Sequence, residues 1–180
     1  MRAQGFTLVE LLVTIAVMAI VLTLAVPGFR SIVNGNRLSA ATDEFVAGLQ
    51  MARIEAVRRG ARVVACATAD ANAGDDAGCA TSDVDGWLVF VDADRNGGFG
   101  VADTLLRSTT VDHGVAVSGV MLVSFHGDGM ARDAAGNPLS GNVRLRIDAS
   151  EPKRNVRCIA LSTGGNAAVT TPAAHDGACP

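Results

Sequence analysis

The chain opens on a long apolar stretch. From Leu11 to Phe29 it carries no charged residue, and Thr14 and Thr23 are its polar positions. A run of about 20 apolar residues matches the hydrocarbon core of a bilayer. Past it the apolar positions thin to a helical rhythm: Leu38, Ala41, Phe45, Leu49, Ala52 and Ala56 recur at steps of three or four. Arg37, Asp43, Glu44, Arg53, Glu55 and Arg58 fall mainly off that stripe, as in an amphipathic helix packed on a globular head. The pattern predicts one helix from about residue 6 to 59, about 80 Å long at 1.5 Å per residue. Gly60 reads as its C-terminal cap, and Pro27-Gly28 as a kink or local opening.

After Gly60 the rhythm shifts to short β-rich runs. Candidate strands are Arg62–Ala67, Trp87–Val91, Leu105–Thr109, Val115–Val117, Met121–Phe125, Val143–Ile147 and Val156–Leu161. Val143, Leu145 and Ile147 alternate with Arg144 and Arg146, the mark of a half-buried strand. Turn-rich segments lie at Asn72–Gly78, Asp92–Gly100, Gly127–Gly136 and Ser162–Gly165, and Thr170–Pro180 reads as loop. The fold class is α+β: a long N-terminal helix on a mostly antiparallel sheet, or on two packed sheets.

Composition sharpens this in three ways. Half the residues are hydrophobic (49%) and mean hydropathy is +0.31, an excess concentrated at the N-terminal end. A formal net charge of −3 excludes a chain that binds nucleic acid by overall charge. Four cysteines, Cys66, Cys79, Cys158 and Cys179, lie far beyond the apolar segment. An even count suggests two disulfides if they face an oxidising compartment, and four cysteines allow three pairings. Joined as Cys66–Cys79 and Cys158–Cys179, they would close a Gly/Asp/Ala-rich loop and tie the tail to the last long strand, each contributing about 3 kcal/mol. Zinc is disfavoured, because neither pair has CxxC spacing.

The N-terminus reads MRAQ-GFTLVELL, with Gly5 before the apolar run and no small-residue cleavage site after it. A secretory signal has the opposite order. The run Gly5, Phe6, Thr7, Leu8, Val9, Glu10, Leu11 resembles the prepilin-type leader of the type IV pilin family and its type II secretion relatives, the pseudopilins. The resemblance implies cleavage between Gly5 and Phe6 by a prepilin peptidase and N-methylation of Phe6. Glu10 has a physical argument as well. A lone carboxylate within a membrane helix costs about 2.5–3.5 kcal/mol. The new Phe6 ammonium of a neighbouring subunit is its natural partner, and such a pair would set axial register.

The order of features in the head is similar to the GspH/FimT branch of that family. A cysteine-bearing first strand and loop precede Asp85-Gly-Trp-Leu-Val-Phe-Val-Asp92, then Phe125, the Gly127–Gly129 turn and a C-terminal strand. The resemblance implies a pilin fold divided into a leader (1–5), a transmembrane helix (6–29), an amphipathic helix (30–60) and a β-rich head (61–180). It further implies a structural subunit with a single pass through the bacterial inner membrane and a periplasmic head. Its partners would be other pilins or pseudopilins, membrane lipid, the prepilin peptidase and an inner-membrane assembly platform. Its function would be filament assembly and initiation in a type II secretion pseudopilus or a type IV pilus, serving protein secretion.

Two motifs in the head carry other chemistry. Asp92, Asp94, Asn96 and Asp103 occupy the spacing of an EF-hand calcium loop. The run follows a strand, however, and ends in Asp where Glu is usual, so a plain turn competes with it. No other cofactor is expected. Arg144, Arg146, Lys153, Arg154 and Arg157 form a basic group that could meet phosphates. FimT-type members take up DNA through arginines after the last strand. The corresponding place here, Gly165-Asn166-Ala167-Ala168, has none. A DNA-binding minor pilin for natural transformation is therefore the alternative reading. Enzymatic function is not expected: His113, His126 and His175 are scattered, and no nucleophile, phosphate-loop or zinc-protease motif is present.

Overall fold

The computed structural model describes residues 6–112, 114–150 and 152–180, with the backbone alone at Leu24 and Pro27. Gly5 and the rest of the leader, His113 and Glu151 lie outside the described residues.

Helix α1 spans Leu8–Arg59, about 78 Å at 1.5 Å per residue. Thr7 caps its start, and Gly60 ends it in the left-handed conformation (φ 61°) with its N–H on the Ala56 carbonyl. A β-carbon at that φ would be strained, so glycine terminates the helix without strain. The opening expected at Pro27-Gly28 does not occur: the helix runs through both residues without a break. An interior proline removes one backbone hydrogen bond and crowds the carbonyl four residues before it, yet α1 stays continuous from Leu8 to Arg59.

The head consists of two antiparallel sheets. The strands of the first are β1 (Val63–Thr68), β2 (Gly86–Val91), β3 (Thr104–Thr110), β5 (Leu122–Phe125) and β6 (Ala131–Arg132), in the order β3-β2-β1-β5-β6. The second contains β4 (Val115–Gly119), β7 (Gly141–Ile147), β8 (Val156–Leu161) and β9 (Ala167–Thr170), in the order β4-β7-β8-β9. The seven strands expected from sequence all form. Two short ones were not expected: β6 lies inside the glycine-rich 127–136 segment, and β9 ends at Thr170, where loop was expected. Both are edge strands of their sheets and are too short to show a period.

The C-terminal half of α1 packs against both sheets. Leu38, Ala41, Phe45, Leu49, Ala52 and Ala56, the periodic stripe, are all buried. They join Val63, Ala65, Trp87, Val89, Leu145 and Ile159 in the main core. Phe45 and Trp87 meet with ring centroids 4.1 Å apart. The far face of the first sheet is covered as well: Val64, Cys66, Leu88 and Phe90 form a second small core with Phe99 and Cys79 from the loops above. This two-sided burial explains why β1 is buried at every position. Disulfides Cys66–Cys79 and Cys158–Cys179 both form, as the expected pairing had it.

Candidate assembly site

The N-terminal half of α1 is uncovered. Every described side chain from Phe6 to Arg30 is exposed, including Phe6 at 83%. By length and composition the helix is long and apolar enough to cross a membrane, and its apolar stretch is not buried within the chain. The two polar side chains of the run do not break its apolar surface chemistry. Thr14 and Thr23 donate their hydroxyls back to the Leu11 and Ile20 carbonyls at 2.8 and 2.7 Å, so neither requires a polar partner in lipid.

Glu10 occupies the N3 position of a capping box. The Thr7 hydroxyl accepts from the Glu10 N–H at 3.3 Å, and a Glu10 carboxylate oxygen accepts from the Thr7 N–H at 3.4 Å. The carboxylate therefore sits at the positive end of the helix dipole, exposed, with long local hydrogen bonds. The same Thr-x-x-Glu spacing thus supplies both a local cap and a carboxylate held at one fixed height on the helix.

The lower helix is clamped to the head by Arg53. Its Nε donates to the Gly129 carbonyl at 3.1 Å and its Nη1 to the Asn166 side-chain oxygen at 2.9 Å. One helical side chain thereby holds the β5–β6 turn and the β8–β9 turn, one from each sheet. The turns touch one another tightly. Gly165 has φ 76°, and a β-carbon there would lie 2.6 Å from the Gly129 carbonyl oxygen. Sequence reasoning placed Arg53 off the apolar stripe and missed this role, because its main partner is a backbone carbonyl. Two further ion pairs, Glu44 with Arg107 and Arg37 with Asp112 at 3.5 Å, join the helix to the head. Glu55, held by Arg58 and Arg59, has its carboxyl lowered to about 2.

The basic group does not form one surface. Arg144 pairs with Cys158 and Leu145 with Arg157 across the β7–β8 ladder, and directly opposed residues share a face. Arg157 therefore lies on the face of core residue Leu145, opposite to Arg144 and Arg146. Burial and neighbouring Arg154 push the Arg157 guanidinium below its usual value. Arg144 donates to the Asp176 carbonyl at 3.1 Å, and Arg146 meets Asp148 and Asp176 at 3.2 and 3.3 Å. The C-terminal tail, fastened by Cys158–Cys179, thus covers the two strand arginines. Lys153 and Arg154 are exposed on the β7–β8 turn.

The acidic group is brought together. Asp92, Asp94 and Asp103 each present a carboxylate oxygen within 4.8 Å of the others, in the β2–β3 connection. Asn96 does not face them as a free amide: it donates to Asp94 at 2.7 Å and accepts from the Gly98 N–H at 2.6 Å. Burial raises the Asp92 carboxyl, opposed by Arg62 and by the Gly97 N–H. His126 and His175 stand in different parts of the head. His126 is lowered by burial and by Arg132 and Arg62, and His175 contacts the Ala149 carbonyl and Asp176.

A long helix, half bare and half embedded in a two-sheet head, invites comparison with known proteins. Residues 41–165 match the family model of the type II transport protein GspH, well over half the chain. The chain belongs to the GspH family. Residues 1–26 match the prokaryotic N-terminal methylation motif. Two crystal structures of the Pseudomonas aeruginosa type IV minor pilin FimU share the fold of this GspH-family chain. One has a TM-score of 0.55 at 20% identity and covers 77% of this chain and 95% of that one. The second has a TM-score of 0.52 at 19% identity and covers 76% and 98%. No curated protein matches the chain.

The GspH-family chain is a minor pilin or pseudopilin, with the pilin fold expected from its leader and helix. Family and fold are those of structural subunits. The methylation motif and the bare apolar helix point to membrane anchoring and to assembly with other pilins or pseudopilins.

Proposed function

We propose that this chain is cleaved between Gly5 and Phe6 by a prepilin peptidase, methylated at Phe6, and held in the inner membrane with its head in the periplasm. From there an assembly platform draws it into a filament whose core is built from helices like its own. The observation that carries this reading is the division of α1: its lower stripe is buried in the head, whereas every described side chain from Phe6 to Arg30 is exposed. Such a surface is stable in lipid or against other apolar helices, and unstable in water. Glu10 then exchanges its long intrachain bonds for the Phe6 ammonium of the next subunit, which fixes the axial step.

Crosslinking in the native membrane, with photoreactive groups on the exposed helix positions Val17 and Val21, tests the reading. Other pilin-type subunits should be captured through α1, and their identity assigns the filament to a secretion pseudopilus or a pilus. Capture of lipid alone under conditions of active assembly would overturn it.

A further inference from the structure

The β2–β3 connection holds an acidic cluster to which the proposed function assigns no role. Asp92 directly follows β2, and Asp94 and Asp103 lie further along the same loop, with one oxygen of each carboxylate within 4.8 Å of the others. Two oxygens on a single Ca²⁺, at 2.3–2.6 Å each, lie at most about 5 Å apart, so one ion can reach all three.

Proximity of acids on a surface is common, and a second feature separates this group from that case. Asp92 is 3% exposed. Its Oδ2 accepts the Gly97 N–H at 3.1 Å and faces Arg62 Nε at 3.0 Å. Its Oδ1 is buried and has no hydrogen-bond donor among the described residues. A buried carboxylate oxygen without a donor is costly, and the cost disappears when a cation takes the position.

Arg62 does not complete the charge balance. Its Nη1 and Nη2 donate to the Arg95 and Ala134 carbonyls at 3.1 and 2.9 Å. Its Nε approaches Asp92 as an ion pair but is not aligned as a hydrogen bond. Three carboxylates against Arg62 and the loop's own Arg95 leave a net formal negative charge at the loop, and Arg62 pairs with Asp92 alone.

The loop is also held in shape without a ligand. Asp103 accepts the Ala93 and Gly100 N–H groups at 2.9 Å, and Asp94 accepts from the Asn96 N–H at 3.1 Å. Phe99 packs on Phe90 with ring centroids 5.1 Å apart, which pins the loop to the second core. Each carboxylate oxygen retains a further lone pair for a metal.

We infer that the 92–103 loop is a Ca²⁺ site in which Asp92 Oδ1, Asp94 and Asp103 bind the ion and water completes its coordination. The donors are all hard oxygens, which selects against zinc. Three carboxylates on a glycine-rich loop suit the larger, more tolerant Ca²⁺ shell better than the strict octahedron of Mg²⁺. The assignment is independent of the assembly reading.

Calorimetric titration of the full-length protein in detergent, after EDTA treatment, tests it. Ca²⁺ should bind with a stoichiometry of one and a Kd at or below about 1 mM, the range of extracellular calcium modules. Mg²⁺ should bind at least about tenfold more weakly. Asp94→Asn and Asp103→Asn, each keeping one of the two oxygens that accept within the loop, should each lose at least about tenfold in Ca²⁺ affinity while remaining folded in EDTA. No saturable binding by folded wild type up to about 10 mM, well above that range, would overturn the site. So would wild-type affinity in both variants, and Mg²⁺ binding as tight as Ca²⁺ would overturn its assignment to calcium.

Discussion

Phe45 on the helix and Trp87 on β2 stack with ring centroids 4.1 Å apart and planes tilted by 49°. Both are buried, and the pair joins α1 to the first sheet within the packed half of the helix, whose buried stripe begins at Leu38. Phe45→Ala removes a large side chain from a site that the rigid helix and sheet cannot close. The head should lose about 3–5 kcal/mol, read as a lower denaturant midpoint for the full-length protein in detergent. Membrane insertion should be unaffected, because the exposed half contributes nothing to this contact.

Gly165 should tolerate no side chain. Gly165→Ala would place a β-carbon against the Gly129 carbonyl at a positive φ and would push Arg53 off both turns. Strained backbone of this kind costs about 1–3 kcal/mol. Thermal unfolding should show the loss, and Arg53→Ala in the same background should add little, since the two changes break one clamp.

The tail disulfide spans 21 residues of sequence. Cys158→Ser with Cys179→Ser should cost about 3 kcal/mol by the loop-entropy relation and should expose Arg144 and Arg146. Limited proteolysis should then cut within residues 171–180, where the wild type resists.

Acid should weaken the head in two stages. The His126 imidazolium is disfavoured in the folded head, first by burial and then by Arg132 and Arg62. The unfolded chain binds that proton more readily, so stability is lost as pH falls from 6.5 toward the lowered folded value. Asp176 is lowered from 3.8, first by its Asn155 hydrogen bond and then, against the opposing effect of desolvation, by Arg146. Its contribution is complete above 3.8 and disappears as pH falls through the folded value. Melting temperatures from pH 8 to 3 should show both stages. His126→Gln should flatten the first, and Asp176→Asn should reduce the second, to which Glu55, Asp128 and Asp133 also contribute.

The proposed processing should depend on Gly5. Gly5→Val should leave the five-residue leader attached, seen as a retained mass by mass spectrometry of membrane-extracted protein. Glu10→Ala should be cleaved normally and yet enter filaments poorly, and incorporation at the wild-type level would sink the register role of Glu10.

Much of this is legible in the sequence. The stripe Leu38, Ala41, Phe45, Leu49, Ala52 and Ala56 is buried as its 3.6-residue period required. Alternation marked Val143–Ile147, and the fixed spacing of Asp92, Asp94 and Asp103 marked a cluster that the fold does assemble. What escaped has a common physical origin. Strands β6 and β9 have too few residues, and β9 too many alanines, for a period to appear. The Arg53 clamp ends on a backbone carbonyl, which leaves no trace in side-chain identity. Arg157 looked like a companion of Arg144 and Arg146 because sequence shows alternation within a strand but not the register between strands, and register decides the face.

The route of the chain from α1 into the head has a mechanical consequence. The helix ends at Arg59, and after three residues the chain enters β1, which lies between β2 and β5 in the middle of its sheet. Tension applied along the helix axis therefore arrives at an interior strand bonded along both edges, so that several hydrogen bonds must shear together before any one yields. Had the helix led into an edge strand, the same pull would have peeled it away one bond at a time. A subunit wired in this manner can be hauled out of a bilayer by its helix while its head stays folded.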